Sequence, residues 1–168
     1  MTNGTLETNG ARPVIRFERL LPHSPEEVWR SLIDREELKA WFPTDIITDE
    51  WKVGATLTFV FRKNEAPDFT GTVLELEEPR RLAYTWGDET LRFVLTPQGD
   101  GATLLVLTDE LDRGIAARNA AGWEACLARL SGENPLEEWK PLFDQYRVAF
   151  EPTLGPQEGP PPGFSGDD

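Results

Sequence analysis

Five strand-like runs follow one another between Ala55 and Thr108, with nothing longer than a turn between them. Residues 55–62 alternate, with Leu57, Phe59 and Phe61 on one side and Thr56, Thr58 and Val60 on the other. Residues 69–77, 81–86, 91–96 and 102–108 continue the pattern. The separators are Lys63-Asn64-Glu65-Ala66-Pro67, Glu78-Pro79, Gly87-Asp88 and Gly99-Asp100-Gly101. A parallel crossover needs about a dozen residues, so connections this short predict an antiparallel meander.

Helical signals flank the meander. Residues 14–21 read as a first strand, after which Ser24 supplies an N-cap, Pro25 takes the first helical position and Glu27 completes a capping box. Val28, Trp29 and Leu32 fall on one face of that helix. Residues 35–40 suggest a second short helix, stopped by Pro43. On the far side, Ile115, Asn119, Trp123, Cys126, Leu127 and Leu130 form a stripe at helical spacing. Gly122 lies within that stripe, where a missing side chain would let the helix backbone approach the sheet closely at a propensity cost of roughly 1 kcal/mol. Beyond the interruption at Pro135, Leu136, Trp139, Phe143, Tyr146 and Phe150 make another amphipathic helix. A strand, two short helices, a meander and a long late helix predict an α+β fold in one domain.

The 168 residues suffice for a single core, expected over residues 13–150. Residues 1–12 lack periodicity, and residues 151–168 hold five prolines and four glycines, so both ends are expected to be disordered. The Pro160-Pro161-Pro162 run reads as a solvated linker.

Charge and residue counts exclude several function classes. A net charge of −13 repels nucleic acid and anionic membrane surfaces, and Arg80-Arg81 is too small a basic patch to reverse this. No apolar run is long enough for a membrane helix, so no membrane insertion is expected. The N-terminus lacks a secretory pattern, and the one cysteine, Cys126, excludes an internal disulfide; a cytoplasmic protein is expected. With one histidine, His23, in a loop, neither a zinc site nor a Ser-His-Asp arrangement is supported, and no metal or other cofactor is expected. The carboxylates Asp45/Asp49/Glu50 and Asp109/Glu110/Asp112 lack calcium-loop spacing and read as solvated turns.

Several pieces occur together in an order that resembles a known family. They are Ser24-Pro25-Glu26-Glu27-Val28-Trp29, Ala40-Trp41-Phe42, Val53-Gly54, Gly71-Thr72-Val73-Leu74-Glu75, Pro79-Arg80-Arg81-Leu82-Ala83-Tyr84-Thr85-Trp86 and Gly122-Trp123, spread over residues 14–131. The sequence resembles the homologues of the activator of heat-shock protein 90 ATPase, within the START-like (SRPBCC) superfamily. The resemblance implies a helix-grip fold, in which a curved antiparallel sheet wraps a long C-terminal helix and leaves a cavity between them. Superfamily cavities hold lipids, sterols, polyketides or other apolar molecules, and some members are cyclases. The eukaryotic namesakes of the family use this domain as half of a co-chaperone.

These readings place Trp41, Phe59, Phe61, Trp86, Phe93 and Trp123 around the interior, either as core or as the lining of a ligand site. An empty apolar void of about 300 Å³ would cost on the order of 7 kcal/mol. A whole domain is stable by only about 5–15 kcal/mol, so the space is expected to be narrowed by aromatic rings, wetted or occupied. Glu75 shares strand phase with Gly71 and Val73; on the concave face it is a candidate to orient a ligand or to act as general acid or base. Its alternative is a rim carboxylate paired with arginine. Asn119 is a second polar candidate, on the inward stripe of the late helix. The expectation is therefore a binder of a small apolar or amphipathic ligand without covalent chemistry. The alternatives are a co-chaperone-like or regulatory interaction module with a protein partner, and a cyclase- or hydrolase-type enzyme using Glu75.

Overall fold

The computed structural model describes residues 4–64, 66–133 and 139–159. Eight strands form one antiparallel sheet: β1 (Thr5–Glu7), β2 (Val14–Leu21), β3 (Asp45–Ile47), β4 (Thr56–Val60), β5 (Phe69–Glu77), β6 (Arg81–Trp86), β7 (Glu89–Pro97) and β8 (Thr103–Glu110). Their order across the sheet is β1-β2-β8-β7-β6-β5-β4-β3. Helices α1 (Pro25–Ile33) and α2 (Arg35–Leu38) connect β2 to β3, and α3 (Ala116–Leu130) and α4 (Trp139–Leu154) end the described chain. This is the helix-grip fold, with α3 laid against the inner face of the curved sheet.

Local chemistry explains the helix that starts the grip. The Ser24 hydroxyl accepts from the Glu27 amide at 3.3 Å and donates to the Glu27 carboxylate at 3.2 Å, which caps α1. Asp34 closes α1 and opens α2, accepting from the amides of Glu36 and Glu37 at 2.9 and 3.2 Å. As the spacing predicts, Val28, Trp29 and Leu32 are the buried face of α1.

The inner face of the sheet is built by alternation. Ile15, Phe17, Leu57, Phe59, Leu82, Tyr84, Leu91, Phe93, Leu105 and Leu107 are buried. Against them α3 sets Ala116, Ala117, Ala120 and Ala121, each with no exposed surface. These alanines bring the helix close. Gly122 does not: a Cβ built there would meet nothing within 4 Å. The close approach expected of Gly122 belongs instead to Gly71, where a Cβ would stand 1.8 Å from the Thr85 carbonyl oxygen.

Four expectations are corrected by tertiary contacts. Thr5–Glu7 pairs with β2 as an edge strand, and the Gly4 amide donates to the Tyr146 hydroxyl at 2.7 Å, so residues 4–7 are tied into the fold. Helix α4 runs on to Leu154, and Glu158 and Gln157 then bond to the start of α3, so ordering extends past Phe150. The expectations for Pro135, Leu136 and the Pro160-Pro161-Pro162 run lie outside the described residues. Asp45 is no solvated turn: it sits in β3, paired at 2.9 Å with Arg62. Arg62 also donates to the carbonyls of Phe42 and Thr44 at 2.7 and 2.8 Å, which holds the Phe42-Pro43 corner against the sheet. Asp109 is likewise no turn residue. It is the last inward position of β8 and only 1% exposed.

Candidate ligand site at the mouth of the grip

Aromatic rings fill the middle of the grip. Phe42 touches Trp41, Trp86 and Trp123, with ring centres 5.2, 5.3 and 5.6 Å away. Phe59 contacts Trp86 at 4.6 Å and Tyr84 at 5.8 Å, and Tyr84 continues to Phe93 at 5.9 Å. Centroid separations in this range are those of packed edge-on and tilted rings. Phe59 and Phe93 are therefore core. Phe61 lies past the end of β4, half-buried, with its ring against Phe69 at 5.9 Å. Trp41 turns its Nε1 to the Ser31 carbonyl at 2.8 Å and lines a cleft of about 250 Å³ beside α1, whose wall mixes apolar residues such as Leu21 and Val28 with the charged Glu27, Arg30 and Arg129.

Three of the expected site residues do come together. Trp86, Asn119 and Trp123, with Pro43, Arg118, Gly122 and Cys126, bound an open recess of about 140 Å³ between the end of β6 and α3. Trp86 stands 5.7 Å from Trp123, ring to ring. The recess exists partly because position 122 carries no side chain. Burial raises the Cys126 thiol to about 11, so this wall is chemically inert at neutral pH.

Glu75 is elsewhere. The register of β5 against β6 slips between Val73 and Glu75: Val73 faces Tyr84, whereas Glu75 faces Ala83. The extra residue at this bulge moves Glu75 out of phase with Gly71 and Val73. Glu75 ends 40% exposed, 3.8 Å from Arg81 and 3.9 Å from Arg92. This is the rim-carboxylate arrangement.

Hydrogen-bonded to two of the recess residues are two acidic groups that strand phase could have revealed. Glu89 precedes the inward series Leu91-Phe93-Leu95, and Asp109 follows Leu105-Leu107. Both lie just outside the strand ranges that the sequence pattern gives, 91–96 and 102–108. Asn119 donates its Nδ2 to Glu89 at 2.6 Å, and Trp123 donates its Nε1 to Asp109 at 2.9 Å. The second Asp109 oxygen, Oδ1, is buried and receives no donor from any other described residue. The Glu89 carboxyl lies near enough to act on Asp109 by its charge and by side-chain hydrogen bonding. Two facing carboxyls bond only if a proton sits between them. Burial, followed by the charge of Glu89, raises the Asp109 carboxyl well above its ordinary range; burial also raises Glu89.

The family described as Activator of Hsp90 ATPase homolog 1-like protein matches residues 22–133, from the turn before α1 to just beyond α3. The chain belongs to this family. The match takes in the recess and the carboxyl pair, while β1, β2 and α4 lie outside it. Among solved structures, the chain is similar to EF2215 from Enterococcus faecalis, a conserved protein of unknown function. That likeness has 24% identity and a TM-score of 0.75 over 87% of this chain and 89% of that one. It is also similar to CalU16 from Micromonospora echinospora, at 21% identity and a TM-score of 0.67 over 90% and 94%. A third likeness is to the BPP1335 protein of Bordetella parapertussis, at 30% identity and a TM-score of 0.64 over 94% and 97%. No curated protein matches the sequence. Membership of the Activator of Hsp90 ATPase homolog 1-like family supports a ligand-binding or regulatory role.

Proposed function

We propose that this protein binds a small, mainly apolar molecule in the recess between Trp86 and Trp123, and carries out no covalent chemistry on it. The observation that carries the reading is the open space at Gly122, walled by two indoles and an unreactive thiol. Its volume of about 140 Å³ suits a single ring or the end of a longer chain. An engineered apolar cavity of roughly 150 Å³ takes benzene. At about 0.5 kcal/mol per non-hydrogen atom, a ligand of about nine such atoms would bind with a Kd in the sub-millimolar range. Glu75 takes no part, since Arg81 and Arg92 hold it at the rim. Among the described residues no helix is long and apolar enough to cross a membrane, and a buried free thiol suits the reducing cytoplasm.

The test is a titration with 2-phenylethanol, followed by the emission of the recess indoles. The native protein should show saturable quenching, and Gly122→Val should remove it while the melting temperature holds or rises. Absence of any saturable response, or identical binding by the Gly122→Val protein, would overturn the reading.

A further inference from the structure

The recess has a polar floor as well as apolar walls, and the floor specifies a ligand class; this inference rests on the ligand reading above. The Asn119 amide is oriented by the carboxyl pair, since its nitrogen is committed to Glu89 at 2.6 Å. Its oxygen accepts no hydrogen bond among the described residues, and Asn119 lines the recess, so the group offered to a guest is an acceptor. Beneath it Asp109 Oδ1 is buried without an N–H donor, and the buried Asp109 and Glu89 carboxyls give this end of the recess an acidic character that solvent screens little. Indole walls add the attraction of an aromatic ring for a cation. Arg118 is the one opposing charge among the lining residues; it is partly exposed, where solvent screening weakens it, and donates to the Gly159 carbonyl at 3.4 Å.

We propose that the recess selects a small protonated amine carried on an apolar or aromatic body. The ammonium donates to Asn119 Oδ1 and lies above the Asp109–Glu89 pair, while the body packs between Trp86 and Trp123. A neutral isostere keeps only the packing. An anion of the same size meets an acidic floor.

Three probes of one shape separate the possibilities: 2-phenylethylamine, 2-phenylethanol and phenylacetate, titrated against the intact protein at pH 7. The amine should bind roughly tenfold tighter than the alcohol, with phenylacetate weakest. The preference should vanish in the Glu89→Gln/Asp109→Asn double variant, which leaves no carboxyl to ionise, keeps acceptors for Asn119 and Trp123 and has its folding verified by near-ultraviolet circular dichroism; either single isostere leaves one carboxylate and should keep the preference. Equal binding of amine and alcohol would leave a ligand site and overturn the charge selection. Tightest binding by phenylacetate would overturn it too, in favour of Arg118. A preference that survives both substitutions would overturn the role of the carboxyl pair, and failure of all three probes would remove the ligand reading itself.

Discussion

Asp109 shows what burial does to a single side chain. Its neighbours are Glu89 from β7 and Asn119 and Trp123 from α3, with Asp88 and Arg118 farther off as charges acting on Glu89. The folded state keeps a proton that an unfolded carboxyl releases above about pH 4. The native protein therefore binds more protons than the unfolded chain, and the slope of stability with pH is negative across that window. The sign is opposite to that of a salt-bridged aspartate, whose depressed value makes stability fall with acid. Asp109→Asn needs no proton to satisfy either Trp123 or Glu89. As pH rises above about 4 the native protein should lose stability relative to this variant, measured by urea unfolding at each pH. Parallel profiles would show that Asp109 is ionised in the fold.

At the scale of elements, two glycines behave oppositely. Gly71 lies in β5 opposite Leu57, where a Cβ would collide with the Thr85 carbonyl and the Phe59 ring. Gly71→Ala should cost about 3 kcal/mol or more, because backbone has to move. Gly122→Ala puts a methyl into open space within α3 and should stabilise by up to about 1 kcal/mol. Thermal unfolding of the pair gives opposite shifts. Helix α3 has a further peculiarity: Ile115 at its start offers no capping side chain, and the Gln157 amide oxygen accepts from the Ala117 amide at 2.9 Å instead. Gln157 also donates to the Arg113 carbonyl at 2.7 Å. Gln157→Ala should cost about 1 kcal/mol, with faster hydrogen exchange at Ala117. Unchanged exchange there would show that the cap is idle.

Across the whole molecule, the aromatic cluster divides into packing and lining. Phe42 is 2% exposed and joins Trp41, Trp86 and Trp123. Trp86 is half-buried at the recess. Phe42→Ala should therefore destabilise by about 3–5 kcal/mol. Trp86→Ala should cost less stability and weaken 2-phenylethanol binding more. Equal losses in chemical unfolding would mean that the recess wall is ordinary core. The same arrangement accounts for the size of the site: rings close most of the space between sheet and helix, and the recess remains where the helix lacks a side chain.

The elements were largely legible from sequence because their causes are local. Strand alternation in β4 to β8, the Ser24 cap and the stripe on α3 each depend on residues a few positions apart. The antiparallel order follows from turns too short for anything else. The site was legible only in part. Trp86, Asn119 and Trp123 were readable as inward-facing, since phase along a strand or helix assigns a face. Glu75 takes the rim-carboxylate alternative because one bulge between β5 and β6 reverses the phase it shares with Gly71 and Val73 in the sequence, and a bulge belongs to a pair of strands rather than to either one. Asp109 and Glu89 meet only because β7 and β8 are neighbours and α3 covers their ends, and only that enclosure turns two acidic residues into a buried pair. Period and turn chemistry thus determined the α+β class and the strand succession. Register, enclosure and the empty position at Gly122 were decided by contacts between residues far apart in the chain, which no local pattern encodes.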